Sequence, residues 1–138
     1  MKTKACSVCS KQYYGRENSV TCSHICREER FKKKFGRYSD KSIPSGTVGA
    51  MSELAVSMDL MKKGYSVFRA LSPACFCDVI AVKGEQVLKI EIRTGYIAYN
   101  GKLSYPDNVR GTVDTFGIYE RNKNECFYFN LKREPIIL

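Results

Sequence analysis

A small metal-stapled module followed by an α/β core is the architecture this sequence predicts, and three observations predict it. Four of the seven cysteines fall within the first 26 residues, as two close pairs. One segment of helical apolar spacing follows, and after it the chain reads as successive strands. Between these halves lies a stretch rich in Gly, Ser, Pro and charge, which reads as a linker.

The 138-residue chain has room for one ordinary domain plus a small appendage. A hydrophobic share of 43%, with nine Tyr and seven Phe, suffices for a packed core and excludes a disordered polypeptide. No run of about eighteen apolar residues exists, so no membrane-spanning helix and no membrane partner is expected. Cysteines stand where a signal peptide would need an apolar stretch. The expectation is a soluble intracellular protein, cytoplasmic or nucleoid-associated and not secreted.

The net charge of +9 is unevenly placed. Residues 1–45 carry eleven Lys or Arg against four Asp or Glu, and residues 46–138 carry twelve against ten. The first third is therefore the favoured docking surface for a polyanion, with nucleic acid the expected partner; the alternatives are a solvated basic tail or an acidic protein partner.

In the first module, Cys6 and Cys9 form a C-x-x-C pair and Cys22 and Cys26 a C-x3-C pair, with twelve residues between. Two residues between thiolates allow a tight turn to aim both sulfurs at one ion, and a three-residue gap puts two thiolates one helical turn apart. An odd cysteine count in a reducing compartment favours metal ligation over disulfides. Structural Zn2+ on Cys6, Cys9, Cys22 and Cys26 is the expectation, with His24, the single histidine, as the less favoured competitor. Residues 10–21 are expected to form a hairpin turning at Gly15-Arg16-Glu17-Asn18. Residues 25–35 read as a basic helix, whose Arg27, Arg30, Lys32, Lys33 and Lys34, with Arg37 beyond it, are candidate DNA contacts. A knuckle, a hairpin and a helix beginning at the second pair resemble a treble-clef-type zinc finger. The predicted boundaries are a zinc module at 1–35, a linker at 36–46 and a second domain at 47–138.

The second domain opens with a helix over 47–63, marked by Val48, Met51, Leu54, Ala55, Met58 and Met61 and stopped by Gly64. Strands are expected at 65–71, 76–83, 87–96, 112–120 and 125–131, in a mostly antiparallel sheet. Lys83-Gly84-Glu85-Gln86 is a two-residue hairpin signal. With that turn, opposed residue numbers sum to 169, so Ile80 faces Lys89 and Asp78 faces Glu91. Val79, Ala81, Leu88 and Ile90 then form the apolar underside. Opposed carboxylates repel. A divalent cation such as Mg2+ would compensate them; the alternatives are a neighbouring Lys or Arg, or a longer turn with a different register. Residues 96–110 read as a hairpin or loop beside this pair. Asp114 reads as a turn cap, and Cys75, Cys77 and Cys126 as small buried residues.

"GTVGAMSELAVSMDLMKKGYSVFRA … CDVIAVKGEQVLKIEIRTG" resembles the PD-(D/E)XK nuclease superfamily, with likeness to archaeal Holliday-junction resolvases and to intron-encoded homing endonucleases on that core. The likeness extends through "VDTFGIYERNKNECFYF" and spans roughly residues 46–131. It implies a restriction-endonuclease-like mixed sheet with flanking helices. It also implies a helix Glu at Glu53, a strand Asp at Asp78, and E-x-K represented by Glu91 and Arg93. Under that resemblance Asp78, Glu91 and the carbonyl after Glu91 hold Mg2+, and Glu53 reaches it through water. The activity implied is Mg2+-dependent endodeoxyribonuclease cleavage leaving 5′-phosphate ends, with a homodimer where two strands are cut. Outside the resemblance, Glu53 also reads as a surface glutamate near a helix start.

The third signature position departs from the pattern. Arg93 stays charged and cannot act as a general base, although it can clamp a phosphate. The alternative is a DNA-binding protein that kept the nuclease fold and lost the chemistry.

Overall fold

A computed structural model of the chain describes residues 1–35, 43–98, 100–109 and 112–138. The chain divides into two compact units, Met1–Asp40 and Lys41–Leu138. Residues 36–42 of the expected linker lie outside the described residues, and Ser45 and Gly46 already belong to the helix that follows.

In the first unit, β1 (Lys2–Ala5) pairs antiparallel with β2 (Gln12–Gly15), and α1 (His24–Phe35) follows. The hairpin therefore lies earlier than the sequence suggested: the first cysteine pair occupies its loop, and residues 16–19 form a separate turn. The physical reason is that the C-x-x-C knuckle itself reverses the chain. Ser10 donates its N–H to the Cys6 carbonyl at 3.0 Å, with Ser10 at φ 60°, and Cys6 donates to the Lys11 carbonyl at 2.9 Å. Ser23 caps α1, its hydroxyl accepting the Cys26 N–H at 3.2 Å.

In the second unit, α2 (Ser45–Lys62) starts behind Pro44, whose backbone is extended and which lacks an N–H the helix could not have used. It stops in a Schellman motif: Tyr65 N–H bonds to the Leu60 carbonyl at 3.1 Å and Gly64 N–H to the Met61 carbonyl at 2.9 Å. Gly64 at φ 87° supplies the left-handed turn, while Tyr65 and Leu60 meet in the core.

The strands are β3 (Ser66–Arg69), β4 (Val79–Lys83), β5 (Gln86–Ile97), β6 (Leu103–Ser104), β7 (Thr115–Glu120) and β8 (Glu125–Asn130). They form one mixed sheet ordered β3-β4-β5-β7-β8, with β6 paired to the far end of β5. The β4–β5 register is the one the turn predicts, from Lys83↔Gln86 to Val79↔Ile90, with Gly84 at φ 60°. Four of this sheet's five strand pairings among the described residues are antiparallel, as expected, and the fifth makes the sheet mixed: β7 runs parallel to β5 (Ile90↔Thr115 to Gly95↔Glu120). Residues 112–114 precede β7 instead of belonging to it.

One face of the sheet carries Val79, Ala81, Ile90, Ile92 and Tyr128 against Val56 and Leu60 of α2. The other carries Phe116 and Ile118 under Tyr105 from the β6–β7 connection. Among the described residues α2 is the one helix packed on this sheet, where flanking helices were expected. Its buried face also differs from the apolar spacing: Ser52, Val56, Ser57 and Leu60 are buried, while Met51, Leu54, Met58 and Met61 are exposed. Gly117 explains the choice. A Cβ there would lie 2.9 Å from Val56 Cγ1, so the helix approaches the sheet through small residues.

Candidate functional site

Two groups of side chains carry chemistry, one in each unit. In the first unit the four sulfurs of Cys6, Cys9, Cys22 and Cys26 all lie within 4.8 Å of one another, so they could hold a metal ion such as zinc. Tetrahedral zinc with Zn–S near 2.3 Å requires S···S edges of about 3.8 Å. The Cys9–Cys22 and Cys22–Cys26 separations are 3.5 and 3.7 Å. Cys26 stands in the first turn of α1, whereas Cys22 precedes the Ser23 cap, so the pair is not carried wholly on the helix as expected. His24 turns away to Glu28, at 3.7 Å.

Backbone N–H groups of Cys9, Val8 and Cys22 point at the Cys6 sulfur and hold its thiol down at about 6, against the opposing effect of burial. Cys22, sharing its hydrogen with Cys9 and partly desolvated, is pushed up to about 12. The cluster thus favours one thiolate and resists further ones until a cation compensates them. On α1, Arg27, Lys32 and Lys33 are exposed and Arg30 is half-buried. Arg37 and the side chain of Lys34 lie outside the described residues.

In the second unit, Asp78, Glu91 and Arg93 line one cavity of about 630 Å³, together with Cys75, Phe76 and Asn108. Asp78 reaches it by ending a strand. Its N–H donates at 3.1 Å to the carbonyl of Ile90, the residue already paired with Val79, so two successive residues face one partner as in a bulge. Its carboxylate Oδ2 then accepts the Ile92 N–H at 2.7 Å, replacing a ladder carbonyl. The register that predicted a direct Asp78–Glu91 pairing therefore holds as far as Val79 and breaks at Asp78. Burial pushes the Asp78 carboxyl above its ordinary range. The Ile92 N–H opposes this, Glu53 adds to it, and Arg93 and Arg69 oppose it.

Glu91 is buried on β5, and its Oε1 lies 2.6 Å from Arg93 Nη1. Arg93 also donates from Nη1 to the Ile92 carbonyl at 3.1 Å and from Nη2 to the Asn108 carbonyl at 2.9 Å. Glu53 on α2 is bound at 2.5 Å by Arg69, at the end of β3. Glu53, Arg69 and Arg93 are thus all near enough to Asp78 to act on its charge. The expected loop beside the pair is partly realised: β6 returns along β5, and Asn108 reaches the cavity.

Sequence reasoning missed Arg69 and Asn108. Arg69 pairs with Val79, next to Asp78, but an intervening loop with no register signal hides that pairing. Of the remaining residues, Cys77 is buried as expected, whereas Cys126 is only half-buried and Cys75 is exposed. Asp114 accepts the Lys89 N–H at 2.9 Å and fixes the start of β7. No helix among the described residues is long and apolar enough to cross a membrane.

No protein-family model and no curated protein matches the sequence. Among solved structures, the fold is similar to that of a bacterial homing endonuclease, I-Ssp6803I, at a TM-score of 0.57 and 18% sequence identity. The likeness covers 64% of this chain and 67% of that one.

Proposed function

We propose that this protein is a metal-dependent DNA endonuclease hydrolysing phosphodiester bonds on a PD-(D/E)XK-type core, with a zinc module that helps grip the DNA. The observation that carries this reading is the convergence of Asp78, Glu91 and Arg93 on one cavity, in a fold similar to that of a homing endonuclease. The donor set fits a hard cation: two carboxylates and the Ile92 carbonyl are oxygen ligands of the type Mg2+ takes alongside water. Bound there, Mg2+ would polarise the scissile phosphate and lower the pKa of an attacking water.

The chain's own residues divide the remaining work. Asp78, fixed by the Ile92 N–H, and Glu91, fixed on β5, hold the ion. Glu53 contributes through water from α2. Arg93 supplies a permanent positive charge for the phosphate oxygens, which a transition state gathering negative charge requires. In the first unit Zn2+ on Cys6, Cys9, Cys22 and Cys26 fixes α1, whose Arg27, Lys32 and Lys33 meet backbone phosphates. Cutting both strands of a two-fold site would take a homodimer.

The experiment is incubation of the zinc-loaded full chain with supercoiled, branched and linear DNA and Mg2+. Nicked or linear product with 5′-phosphate ends is expected, and Asp78→Asn and Glu91→Gln should abolish it. No product on any substrate from folded, DNA-binding protein overturns the proposal. The ion pair between Arg93 and Glu91 favours a second reading, a DNA-binding protein without cleavage. Cleavage appearing only in Arg93→Lys would select it.

A further inference from the structure

The contacts of Arg93 define a role that the E-x-K pattern does not contain. Its Nη1 lies 2.6 Å from Glu91 Oε1 and 3.1 Å from the Ile92 carbonyl oxygen. These are two of the three groups expected to ligate a divalent ion on the Asp78–Glu91 pair. A second bond, from Nη2 to the Asn108 carbonyl at 2.9 Å, fixes the plane of the guanidinium. Three acceptors around two nitrogens suit a planar fork; an ammonium is a point charge and cannot span them in this way. Two cations cannot share the same oxygens, because like charges at contact distance in a half-buried site repel strongly.

We infer that Arg93 is a resident counter-cation of the acidic centre, which an incoming divalent ion displaces from Glu91, and that the released guanidinium then takes a phosphate of the nucleic acid. This rests on the reading of Asp78 and Glu91 as a metal site. Before the ion arrives, Arg93 neutralises Glu91 much as Arg69 neutralises Glu53. Asp78, bound to a backbone N–H, keeps the more open carboxylate and is the ion's first contact. Ion binding transfers Glu91 from the guanidinium to the metal. The cavity into which both residues open, about 630 Å³, leaves room for the side chain to turn without moving β5. Metal and phosphate binding are thereby coupled, each favouring the conformation the other needs.

The test uses zinc-loaded full-length protein and Mn2+ titrated by calorimetry into the wild type, Arg93→Ala, Arg93→Gln and Asp78→Asn. Removing the competing cation should tighten Mn2+ at least about tenfold in both Arg93 variants, and Asp78→Asn should lose the binding. A fluorescent duplex oligonucleotide, followed by anisotropy with Ca2+, gives the second readout. The wild type should gain several-fold affinity from the ion, and the Arg93 variants should gain little. Thermal unfolding in chelator establishes that each variant is folded, and Arg93→Gln, which keeps a donor for the Asn108 carbonyl, guards against collapse of the alanine variant. Equal Mn2+ affinity in the wild type and the folded Arg93 variants overturns this inference while leaving the metal site standing. No Mn2+ uptake by any protein overturns the metal site and the inference together.

Discussion

The two units of this chain reach order by opposite means. Among the described residues of the first unit, Cys6 alone is buried. In the second, eight buried residues form one cluster between α2 and the sheet, and three more anchor a second cluster on the other face. Fixing each residue's backbone costs about 1–2 kcal/mol, which burial of a single cysteine cannot offset. The four clustered cysteines could hold a metal ion, which would supply what the missing core does not. The second unit needs no such staple, so polar groups at the end of β4 are available for function. The difference also sets opposite responses to pH.

The largest test of this contrast is removal of zinc. Chelation, or Cys6→Ser, should unfold the first unit and leave the second folded, because structural zinc contributes about 10–16 kcal/mol in small modules. Residue-resolved NMR should show the amide signals of residues 1–35 collapsing while those of β4, β5 and β7 hold their positions. If the first unit keeps its dispersion without metal, the contrast is broken.

The reverse perturbation is Leu60→Ala. Leu60 is fully buried and closes the Schellman motif with Tyr65. Its truncation should cost the second unit about 2–5 kcal/mol, read by denaturant unfolding, with zinc affinity unchanged. A smaller effect belongs to Gly117→Ala. A Cβ there would crowd Val56 Cγ1 at 2.9 Å and Ile90 Cγ2 at 3.3 Å. Overpacking of this kind costs about 1–3 kcal/mol, and a lowered unfolding midpoint would show that close approach of α2 sets its buried face.

The smallest and sharpest test is pH. Burial raises Asp78 above its ordinary range in the folded state. A carboxyl with a raised folded pKa contributes stability that is present below the unfolded pKa and lost as pH rises through the folded pKa. Asp78→Asn should therefore raise the unfolding midpoint of the second unit at neutral pH, with the gain shrinking toward pH 4. The first unit should go the other way, losing metal as pH falls, because its ligands must be thiolates. Thermal scans of zinc-loaded wild type and variant across that range would separate the two signs. A variant no more stable than wild type at pH 7 would mean that the nearby guanidiniums outweigh the desolvation of Asp78.

Legibility in the sequence followed the range of the interactions. The cysteine pairs, the Gly64 stop and the Gly84 turn were readable because each is settled by a few neighbouring residues, and the turn carried the β4–β5 register with it. Asp78 and Glu91 were brought near one another by that register, but the bulge at Asp78 was not visible, because a side chain there replaces a backbone acceptor. The stripe from Met51 to Met61 pointed to the wrong face of α2, since hydrophobic spacing cannot register a glycine on a distant strand.

By itself, then, the sequence determined a pairing of four cysteines that could share one ion, the position of the central hairpin and the acidic residues on and beside it. These depend on spacing and turn chemistry, which are local. Only the tertiary structure decided that β7 lies parallel to β5, that Arg69 binds Glu53 and that Arg93 binds Glu91. The parallel pairing and the Arg69 contact join segments far apart in the chain. Arg93 stands two residues from Glu91, yet its geometry is completed by Asn108 on a separate loop. What spacing alone presented as a missing lysine is, in the fold, a guanidinium seated on its own carboxylate.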